Sequence, residues 1–504
     1  MGSLRIKVND HVHQQLKDYG PLKVRGPKVI HDTILGTNQF HAHEIAVIDS
    51  PLIQRLRRIS QVDVVSLVWP SGNHNRFEHS LGVAIIADKF IKALFNKTET
   101  RDKLQSIDSQ ESITHHVRMA GLLHDCGHGP FSHMSESIFK SLNDMRDEID
   151  SDEKLATTDP NAHEALGYLI VTSEAFKDFF DRVITRMYEI DLDLDLIGEM
   201  IIGYISNPLK AFMVNIINGA FDADKLDYIQ RDSHFTGIKM ILDLDRLFYT
   251  LDLIDIENKL RNRLETRLTI DISGVTTLEE IVFDKMMLNT TVYNHHKVRA
   301  AEGLFKSIFE VISETKNGEF ESAADFLRHT DDDVYGLSRM LEYNPEAAQF
   351  SKALLDRNLP KRALVISNKT VRDDTQSNLW KISRLHNNPD EVLAIRKKIA
   401  ECAQREMSTI TYKDIWFDVP KIPSYEEGDQ WPIKSAGDPN GYLTLHEIFP
   451  VDQWVKAFSQ NKWKAHIFTK PEYRDQVKRA SIEVIKSEYD IDLNEYAEIY
   501  SKIG

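Results

Sequence analysis

The stretch MAGLLHDCGHGPFSH, residues 119–133, constrains the fold of this chain most tightly. Met119, Leu122 and Leu123 continue an apolar, helix-spaced run from about Ser112. The run stops at His124 and Asp125, just before Gly127 and the Gly129–Pro130 pair. An imidazole and a carboxylate at the end of a buried segment are costly unless something satisfies them. Both side chains suit zinc, iron, manganese or nickel. Neighbouring residues reach one ion only where a helix loosens, and the glycines that follow permit this. Two ligands do not complete a site, so the others must come from elsewhere in the chain.

Helical spacing recurs along the first two thirds of the sequence. RFEHSLGVAIIADKFIKALF (76–95) and SITHHVRMAGLLHD (112–125) read as helices, as do 162–190, 194–217, 222–233 and 275–315. From about residue 345 the texture changes. RALVISN (362–368), STITYKDIWFDV (408–419) and KWKAHIFTK are rich in β-branched and aromatic residues and read as strands. AGDPNGYLTLHEI places a Pro-Asn-Gly turn before another strand-like run, and Pro471 opens a last helix. Residues 420–441 read as a surface loop. The expected fold is mainly α: a helical core followed by a smaller mixed α/β part.

Charge narrows the class of function. The 504 residues carry 62 Lys and Arg against 78 Asp and Glu, a formal charge of −16. That balance argues against wholesale binding to nucleic acid or an anionic membrane. Two cysteines, Cys126 and Cys402, indicate no disulfide framework. The start, MGSLRIKVND, lacks a signal-peptide core, and no apolar run is long enough to span a bilayer. The expected location is the cytoplasm.

Two further segments supply partners for His124 and Asp125. SGNHNRFEHSLGV (71–83) brings His74, Arg76 and His79 to the start of a helix. In FDADKLDYIQRDSHF (221–235), Asp224, Tyr228 and Asp232 fall at i, i+4 and i+8 and share a helix face. Taken singly, each has a plainer reading. A His–Asp pair is commonly a solvated helix end, and DADKLD suits a first turn matched to the helix dipole. His115 and His116 read as a solvated pair on the helix leading to the site.

Taken together and in order, HNRFEHSLGV, GLLHDCGHGPFSH and DADKLDYIQRD resemble the H…HD…D signature of HD-domain metallophosphohydrolases. PSGNHNRFEHSLGV and HDCGHGPFSHMSE are similar to one branch, the deoxynucleoside triphosphate triphosphohydrolases, which include the SAM-and-HD-domain enzymes. DSPLIQRLRRISQ and VYNHHKVRAAE are also similar to family segments, and nothing resembles a SAM domain. The resemblance implies an N-terminal extension (1–27), an HD-type catalytic domain (28–345) and a mixed α/β domain for oligomerisation or regulation (346–504).

It also implies residue roles. His79, His124, Asp125 and Asp224 match the metal ligands, which would hold one Fe, Zn or Mn ion. His163 matches the catalytic histidine, with Glu164 as its orienting carboxylate, and His128 and His133 match histidines beside the α-phosphate. Arg76, Lys225 and Lys285 match a phosphate clamp, with Lys285 standing where the family usually has Arg. Gln61, Tyr228, Asp232 and Tyr293 match residues that hold the sugar; His133 and Tyr293 also suit plain packed positions.

The implied reaction converts a dNTP, with its Mg ion, to a deoxynucleoside and inorganic triphosphate. The implied assembly is a homodimer or homotetramer. Lys28, Val29, Asp49, Gln54 and Arg57 match parts of an activator-nucleotide site. Two departures stand out: VDVVSLV (62–68) is bulkier and more strand-like than the Gly-rich family run, and His31 replaces an expected Asn. The alternatives are another HD phosphohydrolase, either a monophosphatase or a phosphodiesterase, and a catalytically silent nucleotide-sensing or nucleic-acid-binding scaffold.

Overall fold

The computed structural model describes residues 3–20, 26–258, 261–315, 320–339, 344–422, 431–435 and 441–502. Helices dominate, and the chain forms two compact units that interleave in sequence. One unit comprises Met1–Lys285, Lys316–Val334 and Glu426–Val451, and the other the remaining three segments. Among the described residues, no helix is long and apolar enough to cross a membrane.

In the first unit, Asn75 caps the helix Arg76–Phe95 by accepting the Glu78 N–H on its side chain. Fifteen of the 20 residues of this helix are buried. It packs along Gln110–Leu123, capped in the same way by Ser109. Burial of such side chains contributes about 1.5–3 kcal/mol each. The second helix ends at Leu123, so His124 to Gly127 form a turn and the chain has loosened where the sequence required it. Ala162–Val171 and Ala223–Thr236 complete the frame of the site. The helix Leu4–Leu16 buries Leu4, Val8, Val12 and Leu16.

Several expectations change. The 162–190 segment breaks at Thr172–Ser173 into a second helix that continues through a π turn, Asp181–Thr185. The 194–217 segment breaks after Ile202, where Gly203 adopts φ 71° and Pro208 follows. Residues 62–68 form turns and a short 3-10 helix, Val65–Leu67, in place of a strand. His115 and His116 are buried, each 6% exposed. His115 packs against His43, and His116 Nε2 accepts the Asp193 N–H at 2.9 Å.

Strands also occur before residue 345. Lys28–Asp32 pairs antiparallel with Gly36–Phe40, and Leu251–Asn258 pairs antiparallel with Arg263–Asp271. The second hairpin is extended by the two-residue strands Ile433–Lys434 and Tyr442–Leu443. The strand-like run after the Pro-Asn-Gly turn thus shrinks to two residues before a short helix, Leu445–Ile448. The turn itself lies outside the described residues, as does much of 420–441.

In the second unit, Lys361–Ile366, Ala465–Thr469 and Ile415–Asp418 form an antiparallel sheet with Ala465–Thr469 in the centre. The central strand is buried at every position. The helices Pro389–Ala403 and Arg474–Tyr489 share its apolar core. The strand expected over 408–419 is confined to its last residues because a 3-10 turn occupies Tyr412–Asp414.

Candidate active site

The site forms where the turn after Leu123 meets the start of the 76–95 helix and the start of the 223–236 helix. His79, His124 and Asp125 present ligand atoms within 4.8 Å of one another. Asp224 Oδ1 stands 2.9 Å from His79 Nε2 and 3.9 Å from His124 Nε2. The two Nε2 atoms lie 3.3 Å apart. His124 Nδ1 donates to the Gly121 carbonyl at 2.8 Å, so its proton is fixed on that nitrogen. His79 Nδ1 faces Asp227 Oδ2 at 2.8 Å. Each ring is held from behind and turns Nε2 toward the shared space, the arrangement that orients a metal-binding imidazole. Two imidazole nitrogens and two carboxylates converging on one space make a donor set that fits a divalent metal.

Charge in the cluster is extensively compensated. Burial alone would raise the Asp125 carboxyl, but the Arg76 guanidinium, at 2.9 Å, and the neighbouring imidazoles hold it well below the usual range. Burial alone would lower His79, but Asp224 and Asp227 bring it up to about 10. Asp227 in turn receives two hydrogen bonds from Arg231, a fully buried guanidinium that also pairs with Asp32 at 3.0 Å. Gly82 makes room for this support: a Cβ there would meet Asp227 Oδ1 at 2.0 Å.

A second cluster adjoins the first. His128 and His163 stack with ring centroids 3.8 Å apart, and His133 lies edge-on to both. Glu136 Oε1 accepts from His163 Nδ1 at 2.9 Å, and Oε2 pairs with His133 Nδ1 at 3.0 Å. This corrects the expected role of Glu164. Glu164 closes the capping box of its own helix, accepting the Asn161 N–H at 2.6 Å, and its other oxygen accepts from Asn218. Its place at the third helical position aims it back along the backbone, away from the neighbouring ring.

Burial opposes the charge on His163, but Glu136 brings its pKa up to about 9. Burial, Arg76 and His163 hold His128 well below the ordinary value, so it stays neutral. His128 Nε2 lies 3.3 Å from Asp125 Oδ1. The loop is tight: a Cβ at Gly127 would meet the His163 carbonyl at 2.1 Å. Phe131 and Ser132 both have positive φ, and their strain is held by Asp331, which accepts the Phe131 N–H, and by the Ser132 hydroxyl, which donates to the Ser60 carbonyl.

The remaining expected residues divide. Arg76 is buried and reaches Asp125, Ser132 and the Gln61 carbonyl. Gln61 is 5% exposed. Its Oε1 has no hydrogen-bond partner among the described residues. Lys225 donates to Asp222 and the Gly219 carbonyl at its own helix start. Tyr228 and Asp232 share that helix, and Asp232 pairs with buried His74 at 2.8 Å. Lys285 lies in the last turn of the helix Val275–Leu288, and Tyr293 ends the π turn that follows; they belong to different units. Of the expected activator residues, Lys28 stands 3.7 Å from Asp49, while Arg57 donates to Gln54 and lies over the Phe77 ring.

Glu136 and Asp227 were not singled out from the sequence. Glu136 stands three residues after His133, inside a family word, and Asp227 three residues after Asp224.

Comparison with known proteins agrees with this geometry. The HD domain model matches residues 76–232, and the HD associated region matches residues 243–494, half of the chain. A deoxynucleoside triphosphate triphosphohydrolase SAMHD1 homolog of Dictyostelium discoideum is 27% identical over 83% of this chain and 72% of its own length. The human deoxynucleoside triphosphate triphosphohydrolase SAMHD1 is 32% identical over 46% of this chain, and the match spans only 37% of the human protein. An uncharacterized protein of Methanocaldococcus jannaschii is 27% identical over 88% of this chain and 80% of its own length. The two histidine clusters thus lie within an HD domain, and the chain belongs to the HD-domain family that carries the HD associated region.

Proposed function

We propose that this chain hydrolyses deoxynucleoside triphosphates to deoxynucleosides and inorganic triphosphate. The observation that supports this most is the juxtaposition of a buried His-His-Asp metal group with a second histidine group whose members differ in proton affinity. The names of the relatives support the substrate class.

His79, His124, Asp125 and Asp224 would hold one Fe, Zn or Mn ion. Such an ion, when bound, polarises phosphorus–oxygen bonds and acidifies water. The chain's own residues supply the rest. Arg76 offsets negative charge beside Asp125. Glu136 holds His163 protonated and fixes its ring, leaving Nε2 to pass a proton to the departing 5′ oxygen. His128, kept neutral, offers a hydrogen bond without competing for that proton. Lys225 and Lys285 assist on the phosphates, while Gln61, Tyr228 and Asp232 face the nucleoside. In this reading Mg accompanies the nucleotide, residues 28–345 carry catalysis, and residues 346–504 support a dimer or tetramer. A second nucleotide activates it at Lys28, Asp49, Gln54 and Arg57, and it works in the cytoplasm.

A magnesium-dependent assay over all dNTPs and rNTPs tests the reaction. Equimolar deoxynucleoside and triphosphate is the expected result. Orthophosphate from monophosphates or from cyclic nucleotides would favour the other HD reactions, and no turnover with metal loaded would favour the silent scaffold.

A further inference from the structure

The second unit contains a cavity of about 180 Å³ that the reaction above does not use. Arg299, Lys421, Phe458, Lys462, Lys464 and His466 are among its lining residues. Arg299 is matched by Asp418, at 3.1 Å, and by Glu302. The three lysines form no ion pair among the described residues. Lys464 is half-buried, with its Nζ 5.7 Å from the Tyr500 ring.

His466 is 3% exposed on the central strand Ala465–Thr469. Its Nδ1 is buried and has no hydrogen-bond partner among the described residues. Arg299, Arg362, Lys464 and His296 all act on it, and with burial they keep it neutral. In a chain of net charge −16, this is a local concentration of cations around an unsatisfied buried donor or acceptor. Lys421 and Lys462 are exposed, so the cost falls on the half-buried Lys464 and on the buried, unsatisfied His466 nitrogen, and an anion seated there would relieve both.

We propose that this cavity binds a short phosphate chain. Its volume lies below the roughly 300 Å³ at which pockets begin to enclose drug-sized ligands, which favours a compact anion over a whole enclosed nucleotide. Lysine ammonium groups suit phosphate as movable point charges, and Asn294, Thr290 and Thr291 add neutral hydrogen-bonding groups to the wall. The chain is either free inorganic polyphosphate or the tail of a nucleoside triphosphate whose base stays outside. The proposal does not depend on the reaction assigned to the first unit.

Calorimetric titration with inorganic tripolyphosphate tests it. The wild-type protein should show one more site per chain than Lys462→Glu/Lys464→Glu, and His466→Gln should weaken that site about tenfold. A charge-matched control, Lys140→Glu/Lys397→Glu, should retain it. Thermal melting confirms that each variant folds, and Lys464→Ala offers a milder replacement. If tripolyphosphate alone fills the site, the source is inorganic; if only a dNTP fills it and Phe458→Ala weakens binding, the source is a nucleotide. An unchanged number of sites in the double variant, equal loss in the control, or no tripolyphosphate or dNTP site attributable to these lysines overturns the proposal.

Discussion

Two sets of residues in the first unit share a family resemblance but differ in construction. The HD cluster is buried and held from behind: His79 by Asp227, Asp227 by Arg231, His163 by Glu136. The candidate activator residues lie on the surface, where Lys28 and Asp49 are each 51% exposed and meet at only 3.7 Å. Geometry in the first set is fixed before any ligand arrives. An exposed pair of the second kind contributes about 0–1 kcal/mol and is screened by salt. Placement of the buried set therefore follows from the folded chain alone, whereas activation at the surface set would have to be created by what binds.

The largest effect should come from breaking the buried set at its centre. Asp125→Ala removes the carboxylate shared by His79, His124, His128 and Arg76. It leaves the buried Arg76 guanidinium without its closest acidic partner. Turnover should disappear and the metal should be lost. Elemental analysis is the check, and full occupancy in the variant would remove Asp125 from the ligand set.

The next effect separates proton transfer from binding. His163→Ala should lower kcat by roughly 10²–10⁴, the range for a lost general acid. Metal content should remain near that of the wild type. The pH profile sharpens the assignment. A general acid must hold its proton, so with His163 at about 9, activity should fall as pH rises through that value. Glu136→Gln removes the charge that raises His163 while burial remains, so the falling limb should move to lower pH. A profile that does not shift in Glu136→Gln would assign the proton to another group.

The contrast between the sets also marks what the sequence discloses. The 76–95 helix is legible because dense apolar spacing follows a capping Asn. The histidines of both clusters are legible as words. Their supports are harder to read: Glu136 reaches His163 across 27 residues, from the helix that follows the strained turn at Phe131 and Ser132. Glu164, adjacent in sequence, is drawn to the backbone by its capping position. The 251–271 hairpin carries a period-two signal, with buried Leu251 and Leu253 flanking the less buried Asp252, but the helical texture on both sides obscures it. His115 and His116 show the reverse error, since polar identity suggested solvent while neighbouring helices supply partners.

The smallest effect tests the surface set. Arg57 is exposed, donates to Gln54 Oε1 at 2.8 Å and lies 3.6 Å from the Phe77 ring centroid. Those contacts alone make it a surface clasp, and an exposed cation–π contact contributes about 0.5–1 kcal/mol. Arg57→Ala should therefore lower thermal stability only slightly. Basal turnover and metal content should be unchanged, because the buried cluster is held by other residues. A clasp and an activator contact differ in one respect. An effector shifts an equilibrium only by binding the active form more tightly. If Arg57 serves that purpose, mixed dNTPs should stimulate the wild-type enzyme and raise its mass in light scattering, and Arg57→Ala should lose both responses. If mixtures only compete and the mass never changes, Arg57 is a clasp, and the buried cluster accounts for the activity without regulation at this surface.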